Sequence, residues 1–445
     1  MVSTYTVDQV VAERVLDRLQ ARFVFVKASD TRYEANFNND GSVDQGEGVK
    51  YQLPNKVNTV SDAGYAAASG DITERTALMT INMSTNAKWA PTVRERQFNI
   101  KHQKEVRIDD AIHEALASDI ELDSSWQLFK NTYLFTGTAG VTPTTFKALS
   151  DLDALMGDMG IINLGERFLA LSYSTASSIG FSAFPINDVP LSRNFSRNVV
   201  IPNGTTNFDQ VLKSSAVVRH VAGVGLNSAT PTAGLVACGT VKTNVANGAN
   251  QLTLTTLGAT VSDVLRTGDK LVIPSLNYLN PVFRNSTKYP LSISVVDGSN
   301  PTPLPWPTAP QEIRYSYASD GSGDLVVTFS EALYYDPTDP YRNISGQITA
   351  GMAVYLVTAN TGVGSTTKIP YEANVGFNTS ALMIAAPPLP KADPNDIVTF
   401  LPQLQLGMTV FQDKDITTLK PTQLYRWNLQ WVNKVNPDRS ALLLG

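Results

Sequence analysis

The sequence predicts an α+β chain that carries a small, separate all-β unit. Helical periodicity falls before residue 165, in three stretches whose apolar residues recur every three or four positions. After 165 strand and turn signals take over, with dense Pro, Gly, Asn and Thr. From about 229 to 345 the strands become short and closely spaced, which favours a barrel or sandwich. At 445 residues the chain can hold two or three units with real cores, and 42% apolar content is that of a globular protein.

The first helix is expected over 7–23. Val7, Val11, Val15, Leu19 and Phe23 form an apolar stripe, and Thr6 with Gln9 fits a capping box. An arm follows. Residues 36–48 are polar and rich in Asn, Asp and Gly, so they read as a loop. VKYQLP reads as an outgoing strand, VNTVSDAGYAAASGD as a small-residue tip, and TALMTINM as the returning strand. Such an arm has no core of its own to pack on. It makes physical sense laid on a neighbouring copy of the same molecule. The stretch FNIKHQKEV reads as strand-like. A second helix over 109–135 then places Ile112, Leu116, Ile120, Leu122, Trp126, Phe129 and Tyr133 at helical spacing. At 1.5 Å per residue it would be about 40 Å long. A third, over 143–159, has Phe146, Leu149, Leu152, Leu155 and Met159 on one side, Pro143 in its first turn and Gly160 as its stop.

Beyond 165, RFLALSY reads as a buried strand, 208–212 as a short helix and VVRHVAGV as a strand. LTLTTL, DKLVIP, LSISVV and DLVVTF are the short strands of the all-β unit. GSNPTPLPWPTAP is a Pro-rich loop. Strand signals resume at MAVYLV and ALMIAA and continue through QLQLGMTVF and LYRWNLQWVNKV. No repeat of fixed period appears.

Composition excludes several functions. A net charge of −5 argues against tight, sequence-independent nucleic-acid binding, which needs a clustered basic excess. The single cysteine, Cys238, rules out an internal disulfide and reads as a small apolar filler. No apolar run approaches the roughly 18 to 20 residues that span a bilayer, and the first residues lack an export signal. The expectation is a soluble protein made in a reducing cytoplasm, with no membrane partner. His102, His113 and His220 have no metal-ligand spacing and read as structural. Gly223-Val-Gly225 starts like a dinucleotide fingerprint but lacks the third glycine. No nucleophile elbow or P-loop is present, so neither catalytic residues nor a cofactor is expected. Asp119, Glu121 and Asp123 alternate on the second helix, pointing in different directions, and read as a solvated or interface face. One local pattern is sharper. Asn36, Asn38, Asp40, Gly41 and Glu47 follow a twelve-residue calcium loop. Asn at its first position removes charge, and strand-like GVKYQLP follows where a helix should.

The order of these segments resembles the Hong Kong 97 fold of tailed-phage major capsid proteins. It is most similar to coat proteins of short-tailed phages that carry an inserted β-barrel domain. GDITERTALMTINM is similar to the return of their extended loop, and EALASDIELDSSWQLF to the end of their spine helix. NFDQVLKSSAVVRHVAG resembles the segment before their insert, and RTGDKLVI with LSISVVDG part of the insert itself. IVTFLPQLQLGMTVFQDKDITTLKPTQLYRWNLQWVNKVNPDRSALLLG is similar to their C-terminal strands.

The resemblance implies an N-terminal arm (1–34), an extended loop (35–100) and a peripheral domain (101–140 and 403–445). It further implies an axial domain (141–228 and 345–402) and an inserted β-barrel-like domain (229–344). It implies an icosahedral head of pentamers and hexamers around double-stranded DNA, assembled in the bacterial host cytoplasm. Expected partners are other copies of the chain, a scaffolding protein, a portal, a decoration protein and weakly touched packaged DNA. Val7, Val11, Val15, Leu19, Val57, Val60, Tyr65 and Ile72 are the expected assembly contacts. Nothing singles out a Lys–Asn pair for crosslinking. A β-rich adhesion or carbohydrate-binding surface protein would explain the Thr/Asn-rich second half, but not the long amphipathic helix. A hydrolase is disfavoured by the poverty of His and of nucleophile motifs.

Overall fold

A computed structural model describes residues 23–31, 48–52, 76–81, 83–89, 103–161, 166–183, 208–226, 234–280, 283–299, 301–303, 314–359, 369–387, 397–401, 406–415 and 422–445. The helix expected over 7–23, apart from Phe23, lies outside these residues. So do the calcium-type loop and the tip of the arm. Phe23 itself is not helical. It is buried, just ahead of a 3-10 turn at Val26–Ala28.

The arm is represented by β1 (Gly48–Gln52) and β2 (Thr76–Thr80), which pair antiparallel with each other. The outgoing and returning strands therefore form as expected. The return then continues into a further strand, β3 (Met83–Trp89). Helix α1 spans Gln103–Asn131, so QKEV is helical rather than strand-like. Gln, Lys and Glu are good helix formers, and the preceding apolar residues do not carry their period that far. Past α1 the chain is already extended at β4 (Phe135–Gly137). Helix α2 covers Phe146–Asp158 and buries Leu149, Leu152, Leu155 and Met156. Pro143 stays outside it, and Gly160 takes a positive φ of 71° at its end.

β5 (Arg167–Leu171) is the buried strand expected there. Tyr173, however, opens helix α3 (Tyr173–Ala183). The short helix expected over 208–212 is instead β6 (Gln210–Lys213), recruited by parallel pairing to β5. β7 (Val218–His220) follows. The all-β unit comprises β8 (Leu235–Val241), β9 (Ala249–Thr255), β10 (Leu265–Arg266), β11 (Lys270–Leu279), β12 (Ser286–Gly298), β13 (Pro301–Pro303), β14 (Tyr315–Tyr317), β15 (Leu325–Leu333) and β16 (Ala353–Val357). The C-terminal part supplies β17 (Tyr371–Asn378), β18 (Leu382–Ala385), β19 (Ile397–Leu401), β20 (Leu406–Asp415), β21 (Thr422–Val435) and β22 (Ser440–Leu444).

Besides the β1–β2 ladder, these strands form two body sheets, a barrel and a small three-stranded sheet, β10-β14-β13. One body sheet runs β4-β22-β17-β5-β6, with β7 also on β17. The other runs β18-β21-β20-β19, with β3 on β21. The barrel closes in the order β11-β12-β15-β9-β8-β16. Every pairing in it is antiparallel. Closure leaves no free edge to template aggregation. Its closing strand, β16, lies beyond the 229–344 span expected for the insert. Strand signals show that 353–357 is extended, but not which sheet it joins. The C-terminal segments cross the expected boundary as well: β22 joins the sheet of β5 and β17, while β18 and β19 join that of β20 and β21. A main core runs through barrel and body. A small cluster of Met79, Met383, Ala385 and Val432 stands apart from it.

Candidate functional site

The expected assembly contacts Val7, Val11, Val15, Leu19, Val57, Val60, Tyr65 and Ile72 lie outside the described residues. The same holds for Asn36, Asn38, Asp40 and Glu47. Among the described residues no group of three or more His, Cys, Asp or Glu is placed to hold a metal ion. What the structure does describe is the root of the arm and the helix that anchors it. In β2, Leu78 is 51% exposed while Met79 is fully buried in the small cluster. Alternation along a strand puts these neighbours on opposite faces. One face of the ladder therefore rests on its own subunit, and the other presents an apolar side chain outward.

Behind the arm, β3 pairs with β21 along its whole length, from Met83↔Trp431 to Trp89↔Tyr425. α1 is bound to this pair by carboxylates. Asp119 Oδ2 accepts the Thr85 hydroxyl of β3 at 2.6 Å. Asp123 Oδ2 accepts Trp431 Nε1 at 2.8 Å and Asn433 Nδ2 at 2.6 Å, both on β21. Residues four apart lie on one helix face, which is why Asp119 and Asp123 meet the same sheet. Glu121 projects to the other side. Its carboxylate accepts the backbone N–H groups of Val24 (2.8 Å), Phe25 (3.1 Å) and Val26 (3.2 Å). It is thus the cap of the segment emerging from the N-terminal region. Glu121 and Asp123 are buried, which corrects the solvated alternative of the expected solvated or interface face. Asp119 and Asp123 share one face rather than pointing in different directions. Burial pushes the Glu121 carboxyl up to about 7, against the three N–H donors and Lys27. Burial also raises Asp123, against its bonds to Trp431, Gln127 and Asn433.

The other end of α1 is capped by the barrel. The last carbonyls of a helix have no partner within it. Lys270 of β11 is fully buried and donates from Nζ to Phe129 O at 2.6 Å, with its ammonium 4.4 Å from the Phe129 ring centroid. Ser294 Oγ of β12 donates to Lys130 O at 2.6 Å, and Ser292 Oγ to Tyr133 O at 2.7 Å. Burial holds the Lys270 amine well below its ordinary range, against the pull of Asp269, and its donated hydrogen bond suits the negative end of the helix dipole. Next to Lys270, the buried Asp269 gathers the entry to the barrel. It pairs with His220 Nε2 at 2.7 Å and accepts the N–H of Gly223 (3.2 Å) and of Arg266 (2.6 Å). His220 is packed against Phe129 and Tyr371. Its burial lowers the imidazole against the pull of Asp269. Gly223, read as half a dinucleotide fingerprint, is a packing glycine: a Cβ there would lie 2.4 Å from Val264 O. Cys238 is buried in the main core, as its reading as a filler expects.

The arrangement is one of anchors, with each buried charge tying two distant segments together. The sequence matches the family described as P22 coat protein, gene protein 5, over residues 1–440. The chain belongs to the P22 coat protein family. It is a structural major capsid protein of a tailed phage, with a role in the virion shell rather than in catalysis. Like others of its family it assembles with copies of itself into capsid oligomers. Its fold is a phage-capsid-like mixture of a few helices, many strands and a closed barrel. Among solved structures it is similar to that of Mycobacterium phage Che8, at 10% identity and a TM-score of 0.44, covering 95% of this chain and 91% of that one. It is also similar to the capsid of cyanophage P-SCSP1u, at 10% identity and a TM-score of 0.39, covering 94% and 87%. A third is the mature capsid of bacteriophage PhiM1, at 9% identity and a TM-score of 0.37, covering 90% and 82%. At such identities and scores the family match alone decides membership. No curated protein matches the sequence.

Proposed function

We propose that this P22-family coat protein builds an icosahedral shell of hexamers and pentamers on a Hong Kong 97-like fold, with its arm laid over the adjacent subunit of the same capsomer. On this reading 1–34 is the N-terminal arm and 35–100 the extended loop. The peripheral domain is built on α1, and the axial domain on the sheet around β17. The barrel is an insertion within the axial domain. The observation that carries the reading is the β1–β2 ladder. Among the described residues it pairs with no other strand. It rests on its own subunit through Met79 and turns Leu78 outward. Closed symmetry would repeat that modest contact around each ring. A scaffolding protein, a portal, a decoration protein and packaged DNA are the partners this role implies. With a net charge of −5 the DNA contact would be weak and without sequence preference.

The test is a deletion of residues 59–69, the tip of the loop. The shortened chain should remain a soluble subunit yet form no closed shells by sedimentation and negative-stain microscopy. Shells of normal size and yield from the shortened chain would sink the proposal.

A further inference from the structure

The turn that joins β11 to β12 holds an aromatic side chain away from the subunit. Pairing of the two strands ends at Leu279↔Ser286. In the turn beyond it Phe283 is 79% exposed, the highest value for a large apolar side chain among the described residues. A loose turn would let such a ring fold back, but this one is fastened from several sides. Asn280, itself buried, accepts the Phe283 N–H on Oδ1 at 3.0 Å and the Arg284 N–H on its carbonyl at 2.8 Å. Its own N–H donates to Asn285 O at 2.9 Å. Its Nδ2 donates to Asp158 O at 2.6 Å, at the end of α2. Arg284 takes a left-handed φ of 56°, a conformation that strains a residue with a Cβ. Its Nη2 donates to Pro340 O at 3.4 Å, and Lys288 pairs with Asp158 at 3.6 Å.

A single exposed apolar residue is ordinary. One held out by strained backbone, and clamped to barrel and body at once, calls for a use. We propose that Phe283 is an assembly contact, the aromatic anchor with which the barrel of one subunit seats on a neighbouring copy of this chain in the shell. The chemistry of the tip selects protein over DNA. Phosphates are met by uncommitted cations, whereas Arg284 and Lys288 are engaged with Pro340 O and Asp158. The group that faces outward is a ring, which fits an apolar pocket at the centre of a protein interface. Size then selects the copy. A buried aromatic residue contributes about 150–250 Å², whereas a stable two-partner interface needs about 1,200 Å² or more. One ring is too small to hold an independent partner. It suffices where the same contact recurs among subunits already joined elsewhere, and this chain assembles with copies of itself. Because Asn280 ties the turn to α2, the ring stands at a fixed place on the body in every copy, as symmetric repetition requires. The proposal rests on that self-assembly and not on where the arm lies.

The experiment has two arms, both on the full-length chain. Phe283→Ala removes a side chain that is mostly in solvent, so the thermal unfolding midpoint of the subunit should match the wild type. The subunit concentration at which shells form, read by light scattering and sedimentation, should rise by about tenfold or more. In the second arm Phe283→p-benzoylphenylalanine keeps an aromatic group at the tip and is irradiated in purified shells. It should join two copies of the chain, with the attachment point located by mass spectrometry. Shells forming from Phe283→Ala at the wild-type concentration would overturn the anchor. So would a crosslink to DNA, to a different protein, or to nothing. The crosslink reads the barrel tip alone, so it can succeed even where the deletion of 59–69 leaves shells intact.

Discussion

Glu121 decides how the chain enters the body. Its carboxylate is the acceptor for three successive N–H groups at 24–26. Truncation would strand those donors in a buried place. At about 1 kcal/mol or more for each buried donor left unpaired, Glu121→Ala should lose roughly 3 kcal/mol of stability in urea unfolding. The group also sets a pH dependence. Its folded value is raised to about 7 from 4.5, so its contribution is greatest below 4.5 and fades as pH climbs to about 7. Urea midpoints across that range should fall in the wild type and fall less in Glu121→Gln. Asp123→Ala removes the acceptor of Trp431 and Asn433 together. It should cost about 2–4 kcal/mol and shift the tryptophan emission. The sequence shows these carboxylates at helical spacing but not their partners. Glu121 is 95–97 residues from the backbone it caps, and Asp123 is 308 from Trp431. Local patterning carries no trace of pairs so distant. A clue was present all the same: two acids set among Ile120, Trp126 and Phe129, where a surface helix would keep an apolar face.

At the scale of elements, α1 is one helix with two environments. Its 111–119 part alternates buried and exposed residues, as an amphipathic helix does. From 120 to 129 it is buried nearly all round, with Leu122 the exposed exception. Its C-terminal carbonyls depend on a neighbouring domain, so Lys270→Ala should act at a distance. We expect a loss of about 2–4 kcal/mol and faster amide exchange in the last turn of α1, measurable by mass spectrometry. The helices α1 and α2 were legible because their apolar residues repeat over many turns. The 208–212 segment was not. Four residues cannot display a period, and a partner strand made the choice by parallel pairing. Tyr173 was misread for a related reason. The β5 pattern runs straight into the helix start, and the cap is Ser172, whose Oγ accepts the Thr175 N–H at 3.1 Å.

For the whole molecule, the barrel's true extent is the main correction to the sequence reading. Residues 229–344 contain five of its strands, and closure needs β16 at Ala353–Val357. A fragment ending at 344 leaves the edges of β8 and β11 unpaired, whereas one spanning 221–359 closes them. The longer fragment should therefore unfold cooperatively on heating and disperse its amide NMR signals. The shorter one should aggregate or remain unfolded. The colinear order of segments carried the family reading. The way the sheets draw their strands did not show, because β17 gathers partners from both sides of the barrel in sequence.

That closure has a consequence for the order in which the molecule is made. Every strand of the barrel lies within 235–357. Both body sheets, by contrast, need strands from the last fifty residues: β21 for one and β22 for the other. On a ribosome the barrel can finish while the body is still missing its central ladders. The nascent chain would then hold a folded bead between two halves that cannot yet meet. Lys270, Ser292 and Ser294, already fixed on that bead, would offer the end of α1 its caps before the body's last strands emerge.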